Sequence, residues 1–225
     1  MSNIDERLPP LYVRNMSDFS DSIDTHFIPW AAKVKKEIDK QKPVFERIIY
    51  DHILPRREER IRDIEIQLAG TGRTGGFLRN TGVRFANIGY SVRRVEEDLT
   101  HPLGFSEGVR YISFNASGSG TTDVVVDAAK NAKKSGVPVI VFTSYPESPL
   151  GILSDEMVVI KGRTKLDIDR DTGERKKEPH TYMGTEFEFK LCIALEQVTS
   201  KVAKELDISE EDMRSGHKKD YYNRL

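Results

Sequence analysis

Twice in this chain a short apolar run ends in glycines and hydroxyl residues and passes directly into helical periodicity. Residues 64–69 run into Gly70-Thr71-Gly72-Arg73-Thr74-Gly75-Gly76, and residues 109–115 run into Ala116-Ser117-Gly118-Ser119-Gly120-Thr121-Thr122-Asp123. A helix that follows a strand carries the chain back along the sheet, so the next strand lies parallel to the first. Ile64, Ile66 and Leu68 mark the first strand, and residues 90–95, 109–115, 138–143 and 157–160 supply four more. Between them, Leu78 and Phe85 fall on one side of a helix over 75–87. Val124, Ala128 and Ala132 fall on one stripe of a second helix, which Gly136 would close. A short helical connection is expected over 148–153. A last long helix over 184–206 would bury Phe187, Leu191, Ala194, Val198, Val202 and Leu206. Ser209 and Asp212 have the spacing of a capping box for one more short helix. The expected class is therefore α/β: a five-stranded parallel sheet with helices on both faces.

Residues 1–60 read differently. Pro9 and Pro10 oppose regular structure, and helical periodicity then extends from residue 17 to about residue 60, interrupted at Pro43 and Pro55. Phe27, Trp30, Val34 and Ile38, then Phe45, Ile48, Ile49 and Ile53, line its apolar side. The expected division is a helical extension over 1–60, packed on the main domain or on a neighbouring subunit, and one domain over 61–225. Residues 162–182 form a charged insertion. Within it Asp167, Asp169, Asp171 and Glu178 match an EF-hand spacing, but Thr172 stands where that loop requires glycine, so a solvated hairpin is the better reading.

Composition narrows the function. Lys plus Arg total 35 against 36 Asp plus Glu, a balance unlike that of a dedicated nucleic-acid binder. No run approaches the ~20 apolar residues of a membrane helix, and the first residues lack a signal-peptide core. Cys192 is the one cysteine, which precludes an intrachain disulfide and fits a reducing compartment. The expectation is a cytoplasmic protein with neither nucleic acid nor membrane as partner.

The two Gly-rich loops carry the chemistry. In open α/β sheets ligands sit beyond the carboxyl ends of the strands. There, free N–H groups at a helix start favour an anion, and Ser and Thr hydroxyls add donors without charge. Ser117, Gly118, Ser119 and Thr122 in the second loop suit a phosphate monoester. The first loop also spells G-x-G-x-x-G from Gly70 to Gly75. A dinucleotide site would need an acid about 20 residues on, where Arg93 and Arg94 stand, with Glu96 just beyond. No pair of the five histidines has a convincing metal spacing.

In order along the chain, G-T-G-R-T-G, N-A-S-G-S-G-T-T, V-P-V-I-V-F-T-S-Y-P-E-S-P-L, V-V-I-K-G-R-T-K and Y-M-G-T-E-F-E resemble the sugar isomerase (SIS) domain family. The likeness is strongest to the 6-phospho-3-hexuloisomerases, whose usual pattern is G-A-G-R-S-G, S-G-S-G-E-T, T-S-N-P-x-S, G-[KR]-T-K and M-G-T-x-F-E. It covers residues 61–217 and implies a three-layer flavodoxin-like fold and a homotetramer or homodimer. It also implies interconversion of 3-hexulose 6-phosphate and fructose 6-phosphate, without metal or organic cofactor. By carry-over, Ser117, Gly118, Ser119 and Thr122 hold the phosphate. Gly72, Arg73 and Thr74 lie beside the sugar or its phosphate, and Glu188 is the base. His217, near the C-terminus, could assist ring opening, and His101 could face the pocket. Thr121, Asn87 and Glu186 depart from the family pattern.

The chemistry stands without the resemblance. A carbonyl moves along a sugar when a carboxylate takes the proton from the adjacent carbon and returns it to the neighbour through an enediol. Glu186 and Glu188 could instead merely complement a helix dipole. An isomerase for another sugar phosphate and a non-catalytic phosphosugar sensor or interaction subunit remain alternative readings.

Overall fold

The computed structural model describes residues 28–95, 106–162, 172, 174 and 185–215. It separates the chain into two compact units, Met1–Lys40 and Gln41–Leu225. In the first, helix α1 (Ile28–Asp39) has Trp30 and Val34 as its buried side chains.

The second unit begins with helix α2 (Lys42–Arg47), where Pro43 sits in the first turn and its missing N–H costs no helical bond. One π-helical turn, Ile48–Ile53, follows and buries Ile48, Ile49 and Ile53. The helical pattern expected to continue to Arg60 stops here. Leu54 is extended, as a residue before proline tends to be. Strands β1 (Ile64–Ala69), β2 (Ser91–Arg94), β3 (Arg110–Ala116), β4 (Val139–Thr143) and β5 (Glu156–Val159) then form the sheet. Helices α3 (Gly72–Ile88), α4 (Asp123–Lys134) and α5 (Thr185–Glu205) pack around it.

All neighbours in the sheet pair in parallel, in the order β2-β1-β3-β4-β5. This is the flavodoxin-like order expected from the resemblance. One face carries Ile64, Ile66, Leu68, Ile112, Phe114, Ile140 and Phe142, all buried. Phe85 of α3 meets Phe114 edge-on, and Phe114 leans on Phe142. On the other face Ala69, Tyr111, Val139 and Val141 cluster with Val125, Val126, Ala128, Ala129 and Ala132 of α4. Helix α5 packs alongside α3 and buries Phe187, Leu191, Ala194, Val198 and Val202, as expected, whereas Leu206 lies past its end and is half-buried. The buried stripe of α4 differs from the expected one. Val124 is exposed, and Val125 carries the buried stripe through Ala129 and Ala132. The expected capping box is present: Ser209 N–H donates to Asp212 Oδ2 at 3.0 Å, and Asp212 N–H donates to Ser209 Oγ at 3.2 Å.

Side chains from before β1 secure the sheet at its β5 edge and at the amino end of its central strand, β3. The Gln41 amide takes both backbone groups of Val159 on the β5 edge, donating at 2.8 Å and accepting at 2.7 Å, as a further strand would. Arg110, at the amino end of β3, donates to both carboxylate oxygens of Glu59 at 2.8 Å, and to the carbonyls of Leu54 and His52. That hydrogen bond holds the Glu59 carboxyl below its usual range, although burial opposes it. A depressed carboxylate stabilises the fold above its unfolded pKa, about 4.3, and loses that contribution as pH falls through the folded value. Glu59→Gln is therefore expected to cost about 1–2 kcal/mol at neutral pH. The gap to wild type should begin to narrow in denaturant titrations below about pH 4.3 and close only once pH falls below the depressed folded value. A gap that persists unchanged in acid would show that the pair contributes nothing through ionisation.

Candidate active site

The chain leaves β1 toward β2 on one side and β3 on the other, so β1 and β3 flank the reversal point of the sheet. A crevice opens at such a point beyond the carboxyl ends, because successive helices depart to opposite faces. Both Gly-rich loops begin there, since Ala69 pairs with Asn115 in register. A Cβ on Gly70 would approach the Ala116 carbonyl to 3.4 Å, so the loops leave side by side.

The loop after β3 is held from within by hydroxyls. Ser117 Oγ and Thr122 Oγ1 are 2.9 Å apart, and Ser117 Oγ also accepts the Gly120 N–H at 3.1 Å. Thr121 Oγ1 donates to Ser119 Oγ at 2.9 Å. Each hydroxyl carries one proton, so each pair consumes one and leaves one to offer a ligand. Thr122 is the N-cap residue of α4, but its side chain makes no capping bond, because it turns to Ser117 instead. The first amides of α4 thus keep the donor character of a helix start. Gly120 adopts φ +65° directly against the Ser148 side chain.

The loop after β1 opens α3, with Thr71 extended and Gly72 at φ +57°. It meets α5 rather than standing alone. Thr74 Oγ1 donates to Glu188 Oε1 at 3.3 Å, and an Arg73 guanidinium nitrogen lies 3.6 Å from Glu188 Oε2. The Glu188 side chain is only 10 % exposed. Among the described residues its Oε2 accepts no hydrogen bond. A buried carboxylate oxygen left this way is costly unless a ligand fills it.

The resemblance named Gly72, Arg73, Thr74, Ser117, Gly118, Ser119, Thr122 and Glu188, and all begin or border these two loops. His217 and His101 lie outside the described residues, as do the acidic positions of the EF-hand-like spacing. The departures acquire local explanations. Thr121 buttresses Ser119. Glu186 pairs at 2.8 Å with Lys190, itself buried and donating to the Lys161 carbonyl at 2.6 Å. Asn87 stands near the far end of α3, ~22 Å of helix from Gly72. The dinucleotide alternative fares poorly, because the carboxyl end of β2 carries Arg93, paired with Glu65 at 3.0 Å, and Arg94. Sequence reasoning assigned no role to Ser148, which is buried beneath Gly120 and accepts the Gly151 N–H at 3.1 Å. Its signal was a hydroxyl in the loop after β4, at the same sheet edge. For Cys192, one turn beyond Glu188, burial first and then Glu196 push the thiol pKa up, which disfavours the thiolate.

No family model matches the chain. Among curated proteins it is 34% identical over 150 residues to a 3-hexulose-6-phosphate isomerase of Mycobacterium gastri, covering 67% of this chain and 70% of that one. The chain belongs to the sugar isomerase family that includes the 3-hexulose-6-phosphate isomerases. Identity to the Bacillus subtilis 3-hexulose-6-phosphate isomerase is 31% over 168 residues, 74% of this chain and 82% of that one. The fold of the family is shared more widely. The Vibrio vulnificus NanR protein complexed with ManNAc-6P superposes with TM-score 0.60 at 18% identity, over 93% of this chain and 72% of that one. As a member of the sugar isomerase family the chain is a sugar-phosphate isomerase. Among the described residues no helix is long and apolar enough to cross a membrane.

Proposed function

We propose that this sugar isomerase interconverts 3-hexulose 6-phosphate and fructose 6-phosphate through an enediol, with Glu188 as the base. The observation that carries the reading is the approach of α5 to the first loop, which sets a buried carboxylate against Thr74 and Arg73 at the mouth of the sheet crevice. The free hydroxyl protons of the second loop and the first amides of α4 would receive the 6-phosphate. That anchors a substrate whose reacting carbons lie at the other end of the molecule. Glu188 takes the C3 proton of fructose 6-phosphate, and the electron pair forms the C2–C3 double bond. The C2 oxygen gains negative charge and a proton, and Arg73 offers a nearby cation for it. Return of the proton from Glu188 to C2, with loss of the proton on the C3 oxygen, leaves the carbonyl at C3. His217 is retained for ring opening on the strength of the family motif alone. The homo-oligomer expected from the family has a candidate face in Phe77, Phe189 and Ile193, where the two aromatic rings meet edge-on and Phe189 and Ile193 remain exposed.

The wild-type protein should convert 3-hexulose 6-phosphate to fructose 6-phosphate. In D2O it should also exchange the C3 hydrogen of fructose 6-phosphate, read by NMR. Binding of fructose 6-phosphate without turnover or exchange would favour the sensor reading. Turnover of a pentose or heptose phosphate instead would keep the isomerase and change its substrate.

A further inference from the structure

We propose that Thr74 is a positioning residue for Glu188 rather than a ligand of the phosphate. The inference rests on the isomerase reading and assigns the two oxygens of its base different tasks.

The Thr74 hydroxyl has a single proton, and it is given to Glu188 Oε1 at 3.3 Å. A proton committed to that carboxylate is not available to a phosphate. The partners come from distant parts of the chain, the first turn of α3 and the first turn of α5, so the bond fixes the carboxylate relative to the loop after β1. The branched Cβ of threonine restricts the hydroxyl to few orientations, which keeps it aimed at α5. The other oxygen, Oε2, is buried, lies 3.6 Å from Arg73, and accepts no hydrogen bond among the described residues. A carboxylate pinned through one oxygen presents the other with a defined lone pair. Of the two oxygens, Oε2 is the one with no hydrogen-bond donor among the described residues committed to it, and so the one left for the C3 proton. A carboxylate released from Thr74 can rotate about its terminal bond, which is a soft torsion, and spends less time in a productive orientation.

Two variants separate this role from phosphate binding and from simple support of the fold. Thr74→Val keeps shape and branching but removes the hydroxyl; Thr74→Ser keeps the hydroxyl. Steady-state kinetics, C3 exchange of fructose 6-phosphate in D2O, and calorimetric binding of fructose 6-phosphate and of inorganic phosphate are read for each. Thr74→Val is expected to lower kcat and the exchange rate about 10- to 100-fold, with KM and both affinities within about twofold of wild type. Thr74→Ser is expected to recover most of that loss. Equal kcat in wild type and Thr74→Val overturns the inference, as does a loss confined to KM with weakened phosphate binding. Failure of serine to restore the rate overturns it too. If wild type itself neither turns over nor exchanges, the isomerase reading falls and this inference with it, a result distinct from an active wild type matched by its valine variant.

Discussion

Glu188→Gln is expected to lower isomerisation and C3 hydrogen exchange about 10³-fold while leaving binding of fructose 6-phosphate intact. Glutamine has the shape of glutamate but no affinity for a proton under these conditions, so the change removes the base and little else. The Thr74 hydroxyl can still donate to the amide oxygen. The lost ion pair with Arg73 involves a guanidinium side chain that is 49% exposed, a setting in which such pairs contribute little to stability. The oxygen left without a hydrogen bond, Oε2, becomes an amide nitrogen or remains an oxygen, and the neutral group is easier to bury than the charge it replaces. The melting temperature should therefore hold or rise. Turnover at the wild-type rate would discard Glu188 as the base. A loss of turnover accompanied by unfolding would point instead to a structural carboxylate.

Gly120→Ala should produce the largest loss of stability among single-methyl additions at the site, about 3 kcal/mol. The residue sits at φ +65°, a conformation that costs an L-residue on the order of 1 kcal/mol by itself. The added Cβ would also run into the Ser148 side chain and come to 3.0 Å of Thr143 Oγ1. Ser148 has little room to yield, because its hydroxyl is engaged with the Gly151 N–H at 3.1 Å and its own N–H with Tyr145. The loop must move instead. Since Gly120 N–H is tied to both the carbonyl and the hydroxyl of Ser117, movement spreads into the proposed phosphate cradle. Affinity for inorganic phosphate should fall together with the melting temperature. Gly72→Ala is the internal control. Its φ is also left-handed, at +57°, but nothing lies within 4 Å of the added carbon. It should cost only the conformational term, about 1 kcal/mol. Equal losses in the two variants, measured by denaturant unfolding, would show that contact with Ser148 is immaterial.

Much of the fold was legible in the chain because most of its strands are short runs with buried apolar residues, and glycine or proline lies close to their ends. The five strands appear within about a residue of their expected limits. The phase of α4 was not legible. Val124, Val125 and Val126 are consecutive, so the apolar pattern admits more than one buried stripe. Only the position of the sheet face decides that Val125 points inward and Val124 outward. The end of the helical segment before β1 failed for a related reason: the periodicity ran on past Pro55, while the backbone had already become extended at Leu54.

The candidate site divides along the same line. Sequence alone was enough to identify a strand, a Gly-, Ser- and Thr-rich loop and a helix start in direct succession, because every part of an anion-binding loop is local in the chain. By itself it also determined the parallel α/β class, since alternating strands and helices leave few other ways to cover both sheet faces. The tertiary structure decided what faces that loop. Thr74 and Glu188 are 114 positions apart, and neither carries a local signal for the other. Their contact exists because α3 and α5 pack side by side, and that packing is set by the buried faces of both helices rather than by the polar residues they bring together. Ser148 reached Gly120 in the same way, through the crossing of two loops at one sheet edge. Local chemistry is written along the chain, whereas the meeting of distant groups is settled by how apolar surfaces close over the sheet.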